Sequence, residues 1–158
     1  MDMGHENHEQ NIMEQDYKQH LLEILLVRSF RYDPDKGFTL ASGEKSDIYI
    51  DVKKTALSPE GMQLIGYACY QEIKLAPVDA IGGLTLGADP IAYATAMVAN
   101  QYCKPVDVFI VRKEPKAHGT QQWIEGNMKP GANVVILEDV LTTGGSTIKA
   151  IKRAEEAG

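Results

Sequence analysis

Cysteine is scarce in this sequence, and so is every signal of export. Only Cys69 and Cys103 occur in 158 residues, too few for a disulfide framework or a thiolate metal cage, and both read as buried free thiols. His5 and His8 have no Cys or acidic cluster to support a metal site. No apolar run reaches the length of a transmembrane span, and the polar opening MDMGHENHEQ contains no export h-region. A basic excess is lacking too: 16 Lys and Arg against 22 Asp and Glu give a formal charge of -6, which argues against a bulk nucleic-acid or membrane-surface binder. No helix-turn-helix module offsets that balance. The expectation is a cytoplasmic protein in which any positive charge needed for function is gathered locally.

What is present centres on residues 133–147, NVVILEDVLTTGGST. Four apolar residues, 134–137, read as a buried parallel strand because apolar side chains occupy both faces. Glu138 and Asp139 stand where the strand should end, and after Val140 and Leu141 the chain turns to Thr142, Thr143, Gly144, Gly145 and Ser146 before an amphipathic pattern begins at Ile148. A small-residue turn feeding a helix N-terminus offers backbone N–H groups and hydroxyls to a phosphate. Paired acids just upstream suit hydroxyls, so the stretch suits a ribose 5-phosphate. No Lys follows the glycines as in a Walker A loop, and the G-x-G-x-x-G of a dinucleotide site is absent. An ordinary strand, turn and helix is the bland alternative.

The rest of the chain reads as one α/β domain from residue 13 to 158, behind a disordered lead of residues 1–12. Tyr17, Leu21, Ile24 and Leu25 fit an amphipathic helix that starts at Met13 and ends near Ser29. Residues 33–37, DPDKG, form a turn, and residues 38–40 and 46–52 read as strands joined as a hairpin, with Ile48 and Ile50 on a buried face and Tyr49 and Asp51 on an available one. Ser58 and Pro59 mark a helix N-cap and first position, and that helix runs to about Leu75, ahead of Pro77. Residues 78–81 are the next strand, followed by a Gly-rich turn, GGLTLGA, and a helix over residues 90–101. That turn is a second anion cradle on the same sheet edge. Residues 106–111 form a third strand, followed by RKEPKAHGT, three cations and a His within seven positions of an acidic protein. Concentrated positive charge there can neutralise an anionic leaving group, although a solvated charge run is the plainer reading. Residues 121–126 show no periodicity, and Trp123 is either a loop anchor or simple packing.

Two stretches carry a resemblance. Residues 134–146 resemble the phosphoribosyl pyrophosphate (PRPP) signature of type I phosphoribosyltransferases. FTLASGEKSDIY and the run RKEPKAHG with its later IEG are similar to the N-terminal segment and the catalytic loop of orotate phosphoribosyltransferases. Two departures are local: Asp47 stands where Pro is familiar, and Ala41 where some members have Lys.

The resemblance implies a type I phosphoribosyltransferase fold, a mostly parallel central sheet flanked by helices with an N-terminal helix and hairpin segment. It implies transfer of 5-phosphoribosyl from PRPP to orotate, with Mg2+ as cofactor and no direct protein ligand to the metal. Glu138 and Asp139 would hold the ribose hydroxyls, with Val140 and Leu141 inside the PRPP-binding stretch and Thr142, Thr143, Gly144, Gly145 and Ser146 around the 5-phosphate. Thr85, Leu86 and Gly87 would face the pyrophosphate, Arg112 and Lys113 the phosphates, and Lys116 and His118 the departing pyrophosphate. Thr142, Tyr49 and Ile50 would contact orotate. Lys116, His118 and Asp139 would be the catalytic set, with the 116–118 loop acting across a homodimer. The resemblance also implies a further strand and hood beyond Gly158, so that the domain is C-terminally incomplete. The rival readings are a phosphoribosyltransferase for another base and a non-catalytic PRPP-binding regulatory module; the basic loop favours an enzyme.

Overall fold

The computed structural model describes residues 3–40, 43–115 and 122–158, with side chains from residue 16 onward. Lys116 and His118, and Ala41, lie outside the described residues. The chain divides into two compact units, Met1–Leu64 and Ile65–Gly158, and the division falls within the helix that begins at Pro59.

In the first unit, helix α1 (Met3–Arg28) begins ahead of the expected Met13. Its first turns carry Glu, Gln and Met, good helix formers that need no apolar stripe. Tyr17 and Ile24 are buried. Strand β1 (Phe30–Tyr32) pairs antiparallel with β4 (Ile48–Ile50), while β2 (Phe38–Thr39) and β3 (Lys45–Ser46) form the hairpin. The run expected as one strand over 46–52 is therefore divided between two ribbons. The Asp33 carboxylate accepts the N–H groups of Asp35 and Lys36, and Gly37 takes φ +63, which closes the expected turn.

The expected alternation of buried and available faces in β4 is not found. Ile48, Tyr49 and Ile50 are 44, 39 and 48 % exposed, because a two-stranded ribbon offers each side chain little more than its cross-strand neighbour. A short helix α2 (Lys53–Ala56), not anticipated, brings the buried Thr55 hydroxyl to 2.7 Å from that of Ser29. Helix α3 (Pro59–Ile73) starts as expected: Ser58 Oγ accepts the Gly61 N–H at 3.2 Å.

In the second unit a four-stranded sheet is ordered β7-β6-β5-β8. β5 (Ala80–Leu84) pairs in parallel with both β6 (Asp107–Val111) and β8 (Val134–Ile136), and β7 (Ile124–Gly126) closes the β6 edge in the antiparallel sense. The period-two alternation of side chains sorts the core into two layers. Ala80, Phe109, Val111, Val134 and Ile136 pack with Ala150 and Ala154 of α5 (Gly145–Glu156). Ile81, Val108 and Val135 pack with Ile73 of α3 and Ala92 of α4 (Ala88–Gln101). A mostly parallel sheet between helices is the architecture expected.

Three details differ from expectation. Gly82 and Gly83, read as part of a turn, lie inside β5, where a Cβ added to either would overlap the carbonyl of Phe109 or Leu137 respectively. Strand β7 occupies part of the segment that showed no periodicity; three residues are too few for a period to declare itself. Cys103 is exposed rather than buried, at φ +57 in the turn after α4. Cys69 is half-buried, and burial pushes its thiol up, an effect opposed by the Thr95 hydrogen bond and reinforced by Glu72.

Candidate active site at the C-terminal edge of the parallel strands

The parallel strands β5, β6 and β8 all end on one edge of the sheet, and each is followed by a stretch that the sequence singled out. Ligands of open α/β sheets gather at such an edge because helix N-termini converge there.

Beyond β8 the ladder continues one step, with the Leu137 N–H donating to the Gly82 carbonyl at 2.7 Å. Glu138 and Asp139 follow, both half-buried. Asp139 Oδ1 accepts its neighbour's N–H, that of Val140, at 3.0 Å. Val140 and Leu141 are 40 and 68 % exposed, and Thr142, Thr143, Gly145 and Ser146 are exposed as well. Gly144 adopts φ +77 as the N-cap of α5, and no side chain caps the helix. The first intrahelical bond runs from the Ile148 N–H to the Gly144 carbonyl, so the N–H groups of residues 145–147 have no intrahelical acceptor. The first turn holds no acid. A helix N-terminus that lacks both a side-chain cap and a negative charge suits an external anion.

The β5–α4 turn lies directly against this one. A Cβ added to Gly87 would overlap the Asp139 carboxylate, and one added to Gly83 would overlap the Leu137 carbonyl. The glycines thus let the acid of one turn rest on the backbone of the other. Thr85 Oγ1 bonds Asp89 Oδ2 at 2.6 Å, the Thr85 N–H donates to the Val111 carbonyl, and the Thr85–Leu86 peptide is cis. Leu86 is 60 % exposed.

At the end of β6, the Arg112 N–H donates to the Trp123 carbonyl at 2.9 Å, and Arg112 Nη1 lies 3.3 Å from Glu125 Oε1 of β7. Lys113 is exposed. The structure thus brings Asp139 against residue 87 and places residues 112–113 at the end of the neighbouring strand. Lys116 and His118 are outside the described residues. Tyr49 and Ile50 belong to the first unit, where Tyr49 stacks on Phe38 with ring centroids 5.5 Å apart.

Sequence reading missed the Arg112–Glu125 pair, since Glu125 reaches Arg112 only through the pairing of β6 with β7. It also left Trp123 undecided. The ring lies 3.7 Å from Arg153 Cζ and 5.2 Å from Lys149 Nζ, both on α5. Among the described residues, no three His, Cys, Asp or Glu side chains group as a metal site.

Comparison with known proteins gives a consistent picture. No family model matches the chain. It is 47 % identical over 141 residues to an orotate phosphoribosyltransferase of Aquifex aeolicus, covering 89 % of this chain and 77 % of that protein. Among solved structures it is similar to the Mycobacterium tuberculosis orotate phosphoribosyltransferase in complex with Fe(III) dicitrate, with a TM-score of 0.77, 34 % identity, and 90 % and 78 % of the two chains covered. The same enzyme in complex with PRPP superposes with a TM-score of 0.72 at 30 % identity, covering 90 % and 76 %.

Proposed function

From the premise that this chain belongs to the orotate phosphoribosyltransferase family, a family of PRPP-dependent phosphoribosyltransferases of pyrimidine metabolism, we propose that it forms orotidine 5'-phosphate and pyrophosphate from orotate and PRPP. The observation that carries the proposal is the seating of the Asp139 carboxylate on Gly87 beside the uncapped N-terminus of α5. That arrangement supplies, in one place, an acid for ribose hydroxyls and N–H groups for a 5-phosphate.

In the proposed mechanism the 5-phosphate sits among residues 142–146, and Glu138 and Asp139 accept hydrogen bonds from the ribose 2- and 3-hydroxyls. Loss of pyrophosphate leaves positive charge on the sugar ring, which two neighbouring carboxylates stabilise while holding the ring in line with the incoming base. Arg112, Lys113 and the 85–87 turn receive the pyrophosphate. Lys116 neutralises the leaving group, His118 donates to a departing oxygen, and Thr142 contacts the base. No protein side chain need bind Mg2+ directly, because the pyrophosphate supplies oxygens and water can fill the remaining positions. Mg2+ held in that way would offset charge on the pyrophosphate. The proposal includes a homodimer with the 116–118 loop acting in trans, and a cytoplasmic location, supported by the finding that no helix among the described residues is long and apolar enough to cross a membrane.

Purified protein should be assayed with PRPP, Mg2+ and, in turn, orotate, uracil, adenine and hypoxanthine. Turnover confined to orotate is expected. Preference for another base would replace orotate in this reading, and PRPP binding with no turnover on any base would favour a regulatory module.

A further inference from the structure

Lys149 and Arg153 play no part in the site described above, yet they tie it together. They stand one helical turn apart on α5 and so share a face. Lys149 Nζ donates to the Lys113 carbonyl at 2.5 Å and lies 5.2 Å from the centre of the Trp123 ring. Arg153 lies 3.7 Å from the same ring, with its guanidinium also bonded to Glu156. The Trp123 carbonyl in turn accepts the Arg112 N–H. One helix therefore grips the chain after β6 and the chain before β7, and that same helix presents the phosphate turn at its N-terminus.

We propose that Lys149, Trp123 and Arg153 form a clamp that positions Arg112 and Lys113 relative to an anion bound at the N-terminus of α5. This deepens the phosphoribosyl-transfer reading and rests on it. None of the three touches the reacting atoms; each acts through the backbone of residues 112–113. A rigid helix with the phosphate turn at one end and the clamp one to two turns along fixes the separation between the sugar phosphate and the cations that receive pyrophosphate. The geometric consequence is that loosening the clamp misplaces the leaving-group cations while the phosphate turn and the ribose acids stay intact. Rate should therefore suffer more than PRPP affinity, because reaction demands closer alignment than binding does.

Trp123 is the single tryptophan of the chain, so its emission reports the clamp directly. The test compares wild type with K149M, K149R and R153M, and with K152M, which removes an exposed cation from the same helix outside the clamp. PRPP with Mg2+ is titrated by calorimetry and by Trp123 fluorescence, and orotidine 5'-phosphate formation is then measured. The expected result has four parts. K149M and R153M shift the emission of the free protein, K149M binds PRPP within about threefold of wild type but turns over about tenfold more slowly, K149R recovers most of the rate, and K152M matches wild type. If PRPP binds and K149M matches K152M in both emission and rate, the clamp is refuted. Should wild type bind PRPP but turn over no base, the optical arm decides: PRPP must change Trp123 emission in wild type and not in K149M, and equal responses refute the clamp. Absence of PRPP binding by wild type instead refutes the phosphoribosyl reading and, with it, the clamp's role in transfer.

Discussion

At Gly87 the reason for glycine is the Asp139 carboxylate, which occupies the space a Cβ would need. Gly87→Ala must push that carboxylate away from the sheet edge, and the expected outcome is at least tenfold weaker PRPP binding with little change in melting temperature, read by calorimetry and thermal unfolding together. Asp139→Asn keeps the volume and removes the charge; by the worth of hydrogen bonds to charged groups, about 1.5–3 kcal/mol, it should weaken PRPP binding roughly tenfold or more. Binding unchanged in Asp139→Asn would remove this residue from the ribose site. The placement of Asp139 at the sheet edge was legible from its position after an apolar strand and before a TTGGS turn. The role of Gly87 was legible only as one glycine of a turn, since its contact spans two strands that are neighbours in space and distant in sequence.

The two thiols give a second prediction at the same scale. Cys103 is exposed, while burial raises the pKa of Cys69 and keeps it protonated. A thiol reagent at pH 8 should therefore label Cys103 first and Cys69 much more slowly. The sign for stability follows from the raised value: whatever protonated Cys69 contributes is present below the ordinary thiol range and is lost as pH rises through the higher folded-state value. Equal labelling rates would contradict the burial of Cys69.

Among the elements, α5 has its N-terminus opened by Gly144 at φ +77. Space is available there, the nearest atoms to an added Cβ being 3.9 Å away or more, so Gly144→Ala meets only the backbone penalty, about 1 kcal/mol. Gly144→Asn, which tolerates the left-handed region better, should cost less in a denaturant melt. A comparable loss from both variants would mean that Gly144 is retained for another reason. Helix α3 ends differently: Lys104 Nζ donates to the carbonyls of Ile73, Lys74 and Ala76 at 2.6–2.9 Å, satisfying acceptors the helix leaves open. Lys104→Met should destabilise the protein by about 1–2 kcal/mol in thermal or urea unfolding without touching PRPP affinity.

Elements with long apolar runs or clear caps were legible from the sequence. β6, β8 and the Ser58–Pro59 start of α3 are the examples. The short pieces α2, β1 and β7 were not, because each is held by a partner far along the chain: β1 by β4, β7 by β6, and α2 through the Ser29–Thr55 hydroxyl pair. The same cause hid the Arg112–Glu125 pair and the grip of α5 on Trp123. In both, the residues meet only after the sheet has formed.

At the scale of the whole chain, the alternation of strand and helix patterns and the family resemblance implied an α/β fold, and the second unit has its layered form: parallel strands with helices on both faces. The match to the Aquifex aeolicus relative covers 77 % of that protein and 89 % of this chain. The net charge of -6 sharpens what the site must do, because an acidic protein that binds a highly anionic substrate depends on local cations and oriented N–H groups. Affinity for PRPP should therefore fall as ionic strength rises. The fall should be smaller in a variant that lacks Lys113 than in wild type, as calorimetry at two salt concentrations would show.

The most direct test of the account is a calorimetric titration of the 158-residue protein with PRPP and Mg2+, in parallel with Asp139→Asn, followed by addition of orotate. The account predicts PRPP binding that is roughly tenfold or more weaker in the variant, and pyrophosphate release that begins only when orotate is added. A wild-type protein that takes up no PRPP, or binds it as well with Asn at position 139 as with Asp, would contradict the claim that the edge formed by the ends of β5, β6 and β8 is a phosphoribosyl site.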